Sequence, residues 1–414
     1  MVKWSYMGFL GFGASSGEIS KETARVDEFL SRGVSGVYPD AEKVKTMLMK
    51  GEQLSMYLGI DPTGPTLHLG HAIALRKLRE FQNLGHKVIL LIGSFTAQIG
   101  DPTDKLAARV RLTEDQVLQN AKLYKKQASR ILKFDGSNPA EIKYNGEWLS
   151  KLSFADVIEL ASHSTVQEML KRDMFERRME EGSPIYMHEF LYPLMQGYDS
   201  VAMKVDGEIG GNDQLFNMLV GRDLVRAINK KEKFVLTMKL LTDTSGKKMG
   251  KSEGNMVSLM DSPEEVFGKV MSWTDEMILG GFELCTDVPT EELRAIAVRL
   301  EKENPRDIKM ELAEKIVSAY HGSDAGVKAK EAFERVFSKD EVPDVVEETA
   351  VAAGVSLKEA LVVLGESNSE LTRLFKQGAI QTVDGKKITD PFAEVTETKV
   401  YRVGKRRFLR VIVK

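Results

Sequence analysis

His68 and His71 stand three residues apart around Gly70, just behind a turn written Asp61-Pro62-Thr63-Gly64-Pro65. Before the turn, Tyr57 to Ile60 reads as a short apolar strand. After it, Ile73, Leu75, Leu78 and Phe81 recur at helical spacing. A strand therefore passes through a tight turn into a helix N-terminus, where unpaired backbone amides and the positive end of the dipole suit a phosphate. The two imidazoles can donate to phosphate oxygens, and Gly70 lets a ligand approach the backbone. Taken alone, the same residues also fit a polar-capped helix start. A zinc site is excluded by supply, since one Cys and six scattered His give no four-ligand set.

A second group lies far along the chain. Lys247, Lys248 and Lys251, with Ser252, sit in a short loop rimmed by Gly246 and Gly254. Such cations suit a polyphosphate gripped while charge moves, although a solvated charged loop would look the same. Between the two groups, Tyr192, Gln196 and Asp199 fall at i, i+4 and i+7, on one face of an otherwise apolar helix near 186–203. That stripe is either a satisfied buried network or a pocket for a small polar ligand. Asp101, after the apolar run Val88 to Ile92, falls where open α/β sheets bind ligands, and an Asx-turn cap is its other reading.

The elements that must carry these residues are legible in outline. A strand, the helix from Leu67 and a second strand at 88–92 make a βαβ unit, which implies a parallel sheet. Thr113 to Leu132 reads as one amphipathic helix opened by a Thr113/Gln116 capping box, and Leu215 to Ile228 as another. Residues 263–342 are patterned as helices. The tail opens with two short helices, each started by a Ser-x-x-Glu box at Ser356 and Ser367, and ends in alternating strands. From Val351 to Lys414 there are 12 Lys and Arg against 7 Asp and Glu, so the tail is +5 and the rest −8. That asymmetry points to a basic appendage meeting a polyanion. No apolar run approaches the roughly 20 residues of a membrane span. The single Cys285 rules out an internal disulfide and fits a reducing cytoplasm.

At this point the residues carry a resemblance. His68-Leu69-Gly70-His71 resembles the HIGH motif, and Lys248-Met249-Gly250-Lys251-Ser252 the KMSKS motif, of class I aminoacyl-tRNA synthetases. The words Tyr57-Leu-Gly-Ile-Asp61-Pro-Thr63, Ile99-Gly-Asp101-Pro, Tyr192-Pro-Leu-Met-Gln196-Gly-Tyr-Asp199 and Gly210-Gly211-Asn212-Asp213-Gln214 narrow it to the bacterial-type tyrosyl-tRNA synthetases. The match runs from about residue 35 to 414. Gly250 departs from the written second motif, and its backbone freedom suits a moving loop.

The resemblance implies an α/β chain: a Rossmann-like parallel-sheet catalytic domain, a helical domain on the anticodon side, and a small α+β RNA-binding domain of the alpha-L type. The boundaries expected are an N-terminal extension at 1–34, the catalytic domain at 35–255, helices at 256–340, a linker at 341–353 and the RNA-binding domain at 354–414. The implied activity is ATP-dependent activation of L-tyrosine and its transfer to tRNA(Tyr), by a homodimer, with magnesium riding in on ATP and no membrane or DNA partner. Thr63, His68, His71, Lys105, Arg109, Lys248 and Lys251 are the implied catalytic residues, the last four cations gripping pyrophosphate. Tyr57, Asp61, Asp101, Tyr192, Gln196, Asp199 and Gln214 are implied for the amino acid, with Tyr57 and Asp199 at the far end holding the phenol hydroxyl. Gly59, Gly70, Gly211 and Asp213 are implied for the nucleotide. Arg373, Lys376, Lys386, Lys387, Arg406 and Arg407 are candidate phosphate contacts of the tail. Tryptophanyl-tRNA synthetase is the nearest rival, and a splicing or RNA-binding factor without activity the rival of another class.

Overall fold

The computed structural model describes residues 18–102, 112–242, 256–338, 346–364, 367–383, 385–404 and 407–414. The chain divides into two compact units, which meet in sequence at Tyr320 and His321. The sequence pattern placed a boundary near 340 instead.

The first unit is built on a six-stranded sheet: β1 (Val34–Tyr38), β2 (Ser55–Ile60), β3 (Lys87–Ile92), β4 (Glu141–Tyr144), β5 (Gly207–Gly211) and β6 (Phe234–Met238), in the order β1-β6-β5-β2-β3-β4. All neighbours are parallel except β1, which runs antiparallel to β6 at the edge. Strand β3 buries every residue after Lys87, as a strand covered on both faces must. From β2 the chain builds outward through β3 and β4, then crosses back to lay β5 and β6 on the other side. That reversal opens a crevice beyond the carboxyl ends of β2 and β5, where ligands of open α/β sheets bind.

The segment expected as an N-terminal extension, 1–34, carries a packed helix. Val26, Phe29 and Leu30 of the helix Thr23–Ser31 are buried, and Phe29 meets the ring of Phe81 at 5.6 Å. The expected helix at 113–132 is two, Glu114–Ala121 and Tyr124–Ala128. The second clamps the turn after β2: Tyr124 donates to the Gly64 carbonyl at 2.7 Å, and Gln127 takes the Leu67 amide at 2.7 Å while donating to the Pro65 carbonyl at 2.8 Å.

The second unit carries a five-stranded sheet, β7 (Glu347–Val351), β8 (Ile380–Thr382), β9 (Lys387–Ile388), β10 (Lys399–Val403) and β11 (Arg407–Val413), in the order β7-β11-β10-β8-β9. Its core joins Leu357, Leu361, Leu371 and Phe375 of the two short helices to Ile380, Tyr401, Leu409 and Val411. Ser356 and Ser367 cap those helices by accepting from the amides of Glu359 and Glu370. The expected linker at 341–353 is corrected in part: Glu347–Val351 is an edge strand parallel to β11. Its acidic residues, which read as linker composition, instead suit an exposed edge, where Glu348 pairs with Arg410 at 2.5 Å.

Candidate active site

The helix Leu69–Asn83 begins at His68, and its two imidazoles fix each other's chemistry. His68 Nδ1 accepts from the Gly70 amide at 3.1 Å, and His71 Nδ1 accepts from the His68 amide at 3.2 Å. With both Nδ1 atoms acting as acceptors, the neutral rings carry their protons on Nε2, the tautomer that can donate to a phosphate oxygen. The rings lie 3.9 Å apart. Leu67 and Leu69 pair with the segment that follows the cationic loop: Leu69 N–H donates to Val257 O at 3.0 Å and Leu259 N–H to Leu67 O at 2.9 Å. Lys105, Arg109, Lys248 and Lys251 lie outside the described residues.

On the other side of the turn, the period-two geometry of β2 puts Tyr57, Gly59 and Asp61 on one face. Gly59 is the exposed position of a strand otherwise mostly buried, so the backbone forms a floor there. The helix Met187–Met203 turns Tyr192, Gln196 and Asp199 toward that face, and two hydrogen-bonded chains connect them to the sheet.

The first chain gathers residues that follow the carboxyl ends of β2, β3 and β4. Tyr192 donates to Asp61 Oδ2 at 2.8 Å, and Thr96 donates to Asp61 Oδ1 at 2.6 Å. Asn145 donates to Thr96 Oγ1 at 3.0 Å and to Asp199 Oδ2 at 3.2 Å, while Trp148 Nε1 donates to Asp199 Oδ1 at 2.7 Å. Gly93 makes this packing possible, since a Cβ there would lie 1.8 Å from Asp61 Oδ1. Burial pushes the Asp61 carboxyl up to about 7, against the bonds from Thr96 and Tyr192 that favour its charge. Burial likewise holds Asp199 well above the usual carboxylate range.

The second chain runs deeper. Gln214, in the turn after β5, donates to Asp101 Oδ2 at 2.8 Å. Asn217 donates to Gln214 Oε1 at 3.1 Å and to Gln196 Oε1 at 3.0 Å, and Gln196 donates to Glu208 Oε1 at 3.0 Å. Glu208 and Lys233 form an ion pair wholly inside the protein. Lys233 also donates to Ser200 Oγ at 2.7 Å, and Ser200 lies 3.0 Å from the Tyr57 hydroxyl. Tyr57, expected beside Asp199 at the end of the slot, therefore has its hydroxyl on Ser200, one helical residue further.

The remaining candidates fall around these chains. Thr63 is exposed in the turn after Asp61, and Gly70 lies in the first turn of the imidazole helix. Gly211 ends β5, and Asp213 stands in the single turn Asn212–Gln214 beyond it. Sequence reading missed Thr96, Asn145, Trp148, Ser200, Glu208, Asn217 and Lys233. Ser200 was within reach, since it extends the Tyr192 stripe to i+8. In the second unit, Arg373 is paired with Glu370 at 2.6 Å, Arg407 is half-buried, Lys386 and Lys387 are exposed, and Arg406 lies outside the described residues.

Comparison with known proteins shows the family. The family described as "tRNA synthetases class I (W and Y)" matches residues 49–338. The chain is 44% identical over 405 residues to the tyrosine--tRNA ligase of Moorella thermoacetica, covering 95% of this chain and 97% of that one. It is 45% identical over 391 residues to the tyrosine--tRNA ligase of Thermotoga maritima, covering 93% and 96%. A C-terminally truncated mitochondrial tyrosyl-tRNA synthetase of Aspergillus nidulans shares the fold at a TM-score of 0.63 and 22% identity, over 76% of this chain and 94% of that one. The fold and its site thus define a class I tRNA synthetase of the tryptophan and tyrosine group. Within that class, the chain belongs to the tyrosine--tRNA ligase family.

Proposed function

We propose that this chain activates L-tyrosine with MgATP in the crevice above β2 and β5 and passes the tyrosyl group to the 3′ end of tRNA(Tyr). The carboxylate of tyrosine attacks the α-phosphorus in line, so the protein supplies positioning and charge stabilisation rather than a nucleophile. The observation that carries this reading is the pairing of Leu67 and Leu69 with Val257 and Leu259. It ties the exit of the cationic loop to the start of the imidazole helix, so both phosphate-gripping motifs serve one triphosphate.

The slot takes the amino acid. Asp61, Tyr192 and Gln196 surround its ammonium, Gly59 floors it, and Asp199 with Tyr57 lies toward the phenol end. Gly70, Gly211 and Asp213 border the nucleotide. Phe154 and Ile158, one turn apart and 81% and 56% exposed, offer an apolar face for the second copy of a homodimer. Among the described residues no helix is long and apolar enough to cross a membrane. We place the enzyme in the cytoplasm, its basic tail, 351–414, against tRNA.

ATP–pyrophosphate exchange across amino acids is the deciding experiment: exchange with tyrosine and none with tryptophan is expected, and the reverse overturns the assignment. His71→Ala should abolish exchange while leaving tRNA affinity near that of the parent. Full activity in that variant would refute the phosphate role.

The carboxyl of Asp61 gives the reaction a pH signature. Its folded value, about 7, lies above the ordinary 3.8. The folded protein therefore holds a proton there between pH 4 and 7 that the unfolded chain has lost. Its contribution to stability is present below pH 4 and is lost as pH rises through 7. An ammonium beside Asp61 favours the carboxylate and reverses the shift. Tyrosine should bind more tightly from pH 6 to 8, and calorimetry in buffers of different ionisation enthalpy should record proton release at pH 6. Proton uptake, or no exchange of protons, would show that the ammonium lies elsewhere.

A further inference from the structure

Arg172 joins the helices Val166–Leu170 and Asp173–Glu180, and it is only 6% exposed. Its guanidinium lies 4.8 Å from the centre of the Phe216 ring and 5.4 Å from that of Phe175, which hold it by cation–π contact. Its Nη1 is buried and has no hydrogen-bond partner. Glu189, Asp101 and Tyr192 are the groups whose charge bears on it. Glu189 is already spent, accepting from Arg178 at 2.5 and 3.0 Å and from the Tyr186 amide at 2.9 Å. Asp101 accepts from Gln214, and the Tyr192 hydroxyl is given to Asp61. No described carboxylate is within ion-pair distance of Arg172.

A guanidinium taken out of water with an open donor is an unfavourable arrangement unless an anion arrives to complete it. The surroundings say where that anion comes from. Phe216 is two residues past Gln214, and the charges of Asp101 and Tyr192, both in the hydrogen-bonded chains of the site, bear on Arg172. An amino acid carries its two opposite charges on groups attached to the same carbon. A slot with carboxylates for the ammonium needs a cation a few ångström further on. Gln214, for which the resemblance implies a reach to the substrate carboxylate or the α-phosphate, donates to Asp101 and accepts from Asn217.

We propose that Arg172 is the residue that holds the α-carboxylate of the amino acid, and that it stays with the non-attacking oxygen as the adenylate forms. In that step a carboxylate oxygen bonds to the α-phosphorus while the bond from phosphorus to the bridging oxygen breaks. The electron pair leaves with pyrophosphate, and Arg172 neither gives nor takes a proton. Its planar fork can bond one carboxylate oxygen and leave the other to attack. This assignment rests on the reading of the slot as the tyrosine site, and the test separates the two.

The test compares L-tyrosine with tyramine, which keeps the phenol and the ammonium but lacks the carboxylate, by calorimetry on the full chain without ATP. Arg172→Met, which keeps an apolar stem against Phe216, should raise the tyrosine Kd about 10- to 100-fold and leave tyramine within about twofold. Arg172→Lys should recover part of the loss. Equal weakening of both ligands would reduce Arg172 to a packing role and overturn the proposal. So would unchanged tyrosine binding with a raised KM for tRNA, which would assign the cation to a tRNA phosphate. Tyr192→Phe should weaken both ligands. If it moves neither, the slot itself is misread, whatever Arg172 does, and the proposal falls with it.

Discussion

Asp199→Asn should lower kcat/KM for tyrosine about 100-fold in pyrophosphate exchange while barely changing the small value for phenylalanine. Both oxygens of Asp199 accept, one from Trp148 and one from Asn145. An amide in its place presents a donor to one of those donors, and the pocket must then rearrange or leave a buried N–H unpaired. Each such mismatch costs about 1–3 kcal/mol. A site that pairs a substrate hydroxyl rejects the analogue without it for the same reason. Tyrosyl-tRNA synthetases are themselves the reference example, at roughly 10⁵ against phenylalanine, and that magnitude is borrowed from them. Phenylalanine has no hydroxyl to lose, so its rate reports on everything except that contact. A fall of equal size for both amino acids would place the effect in folding and remove Asp199 from the phenol end. The ATP KM, set around the imidazole helix, should stay where it is.

What the sequence disclosed follows from how local each signal is. The imidazole pair, its turn and its helix lie in one continuous stretch from Asp61 to Asn83, so spacing alone made the strand, turn and helix start legible. The Tyr192 stripe lies on one helix and could be read by its period. The partners of that stripe could not, because Thr96 follows β3 while Asn145 and Trp148 follow β4, and they meet Asp199 and Asp61 only after β2, β3 and β4 pair in register. Strand β5 was hidden for a different reason. Gly207-Glu208-Ile209-Gly210-Gly211 has almost no intrinsic strand preference, and it is extended because β2 and β6 supply hydrogen bonds on both sides. Its charged Glu208 reads as solvent-facing until Lys233 is brought to it from β6's threshold. The edge strand β7 was missed because its acidic composition imitates a linker.

The Glu208 and Lys233 pair makes the second strong prediction. Lys233 is fully buried, and burial pulls its pKa down against the carboxylate that holds it up. A buried pair repays its desolvation only while both members are present. Lys233→Met should therefore destabilise the protein by about 3–5 kcal/mol in urea unfolding, since Glu208 is left charged or forced to take a proton. Gly221 shows how closely the ammonium is fitted: a Cβ there would come within 2.7 Å of Nζ. The double variant Lys233→Met with Glu208→Gln should regain most of the loss, because a neutral amide can accept from Gln196 through its oxygen and donate to Ser200 Oγ through its nitrogen, with no charge to solvate. Glu208 also orients Gln196, which lines the slot, so Lys233→Met should raise the KM for tyrosine more than that for ATP. Stability lost in the single variant and not recovered in the double would mean that the cavity left by the lysine stem, rather than the orphaned charge, sets the cost.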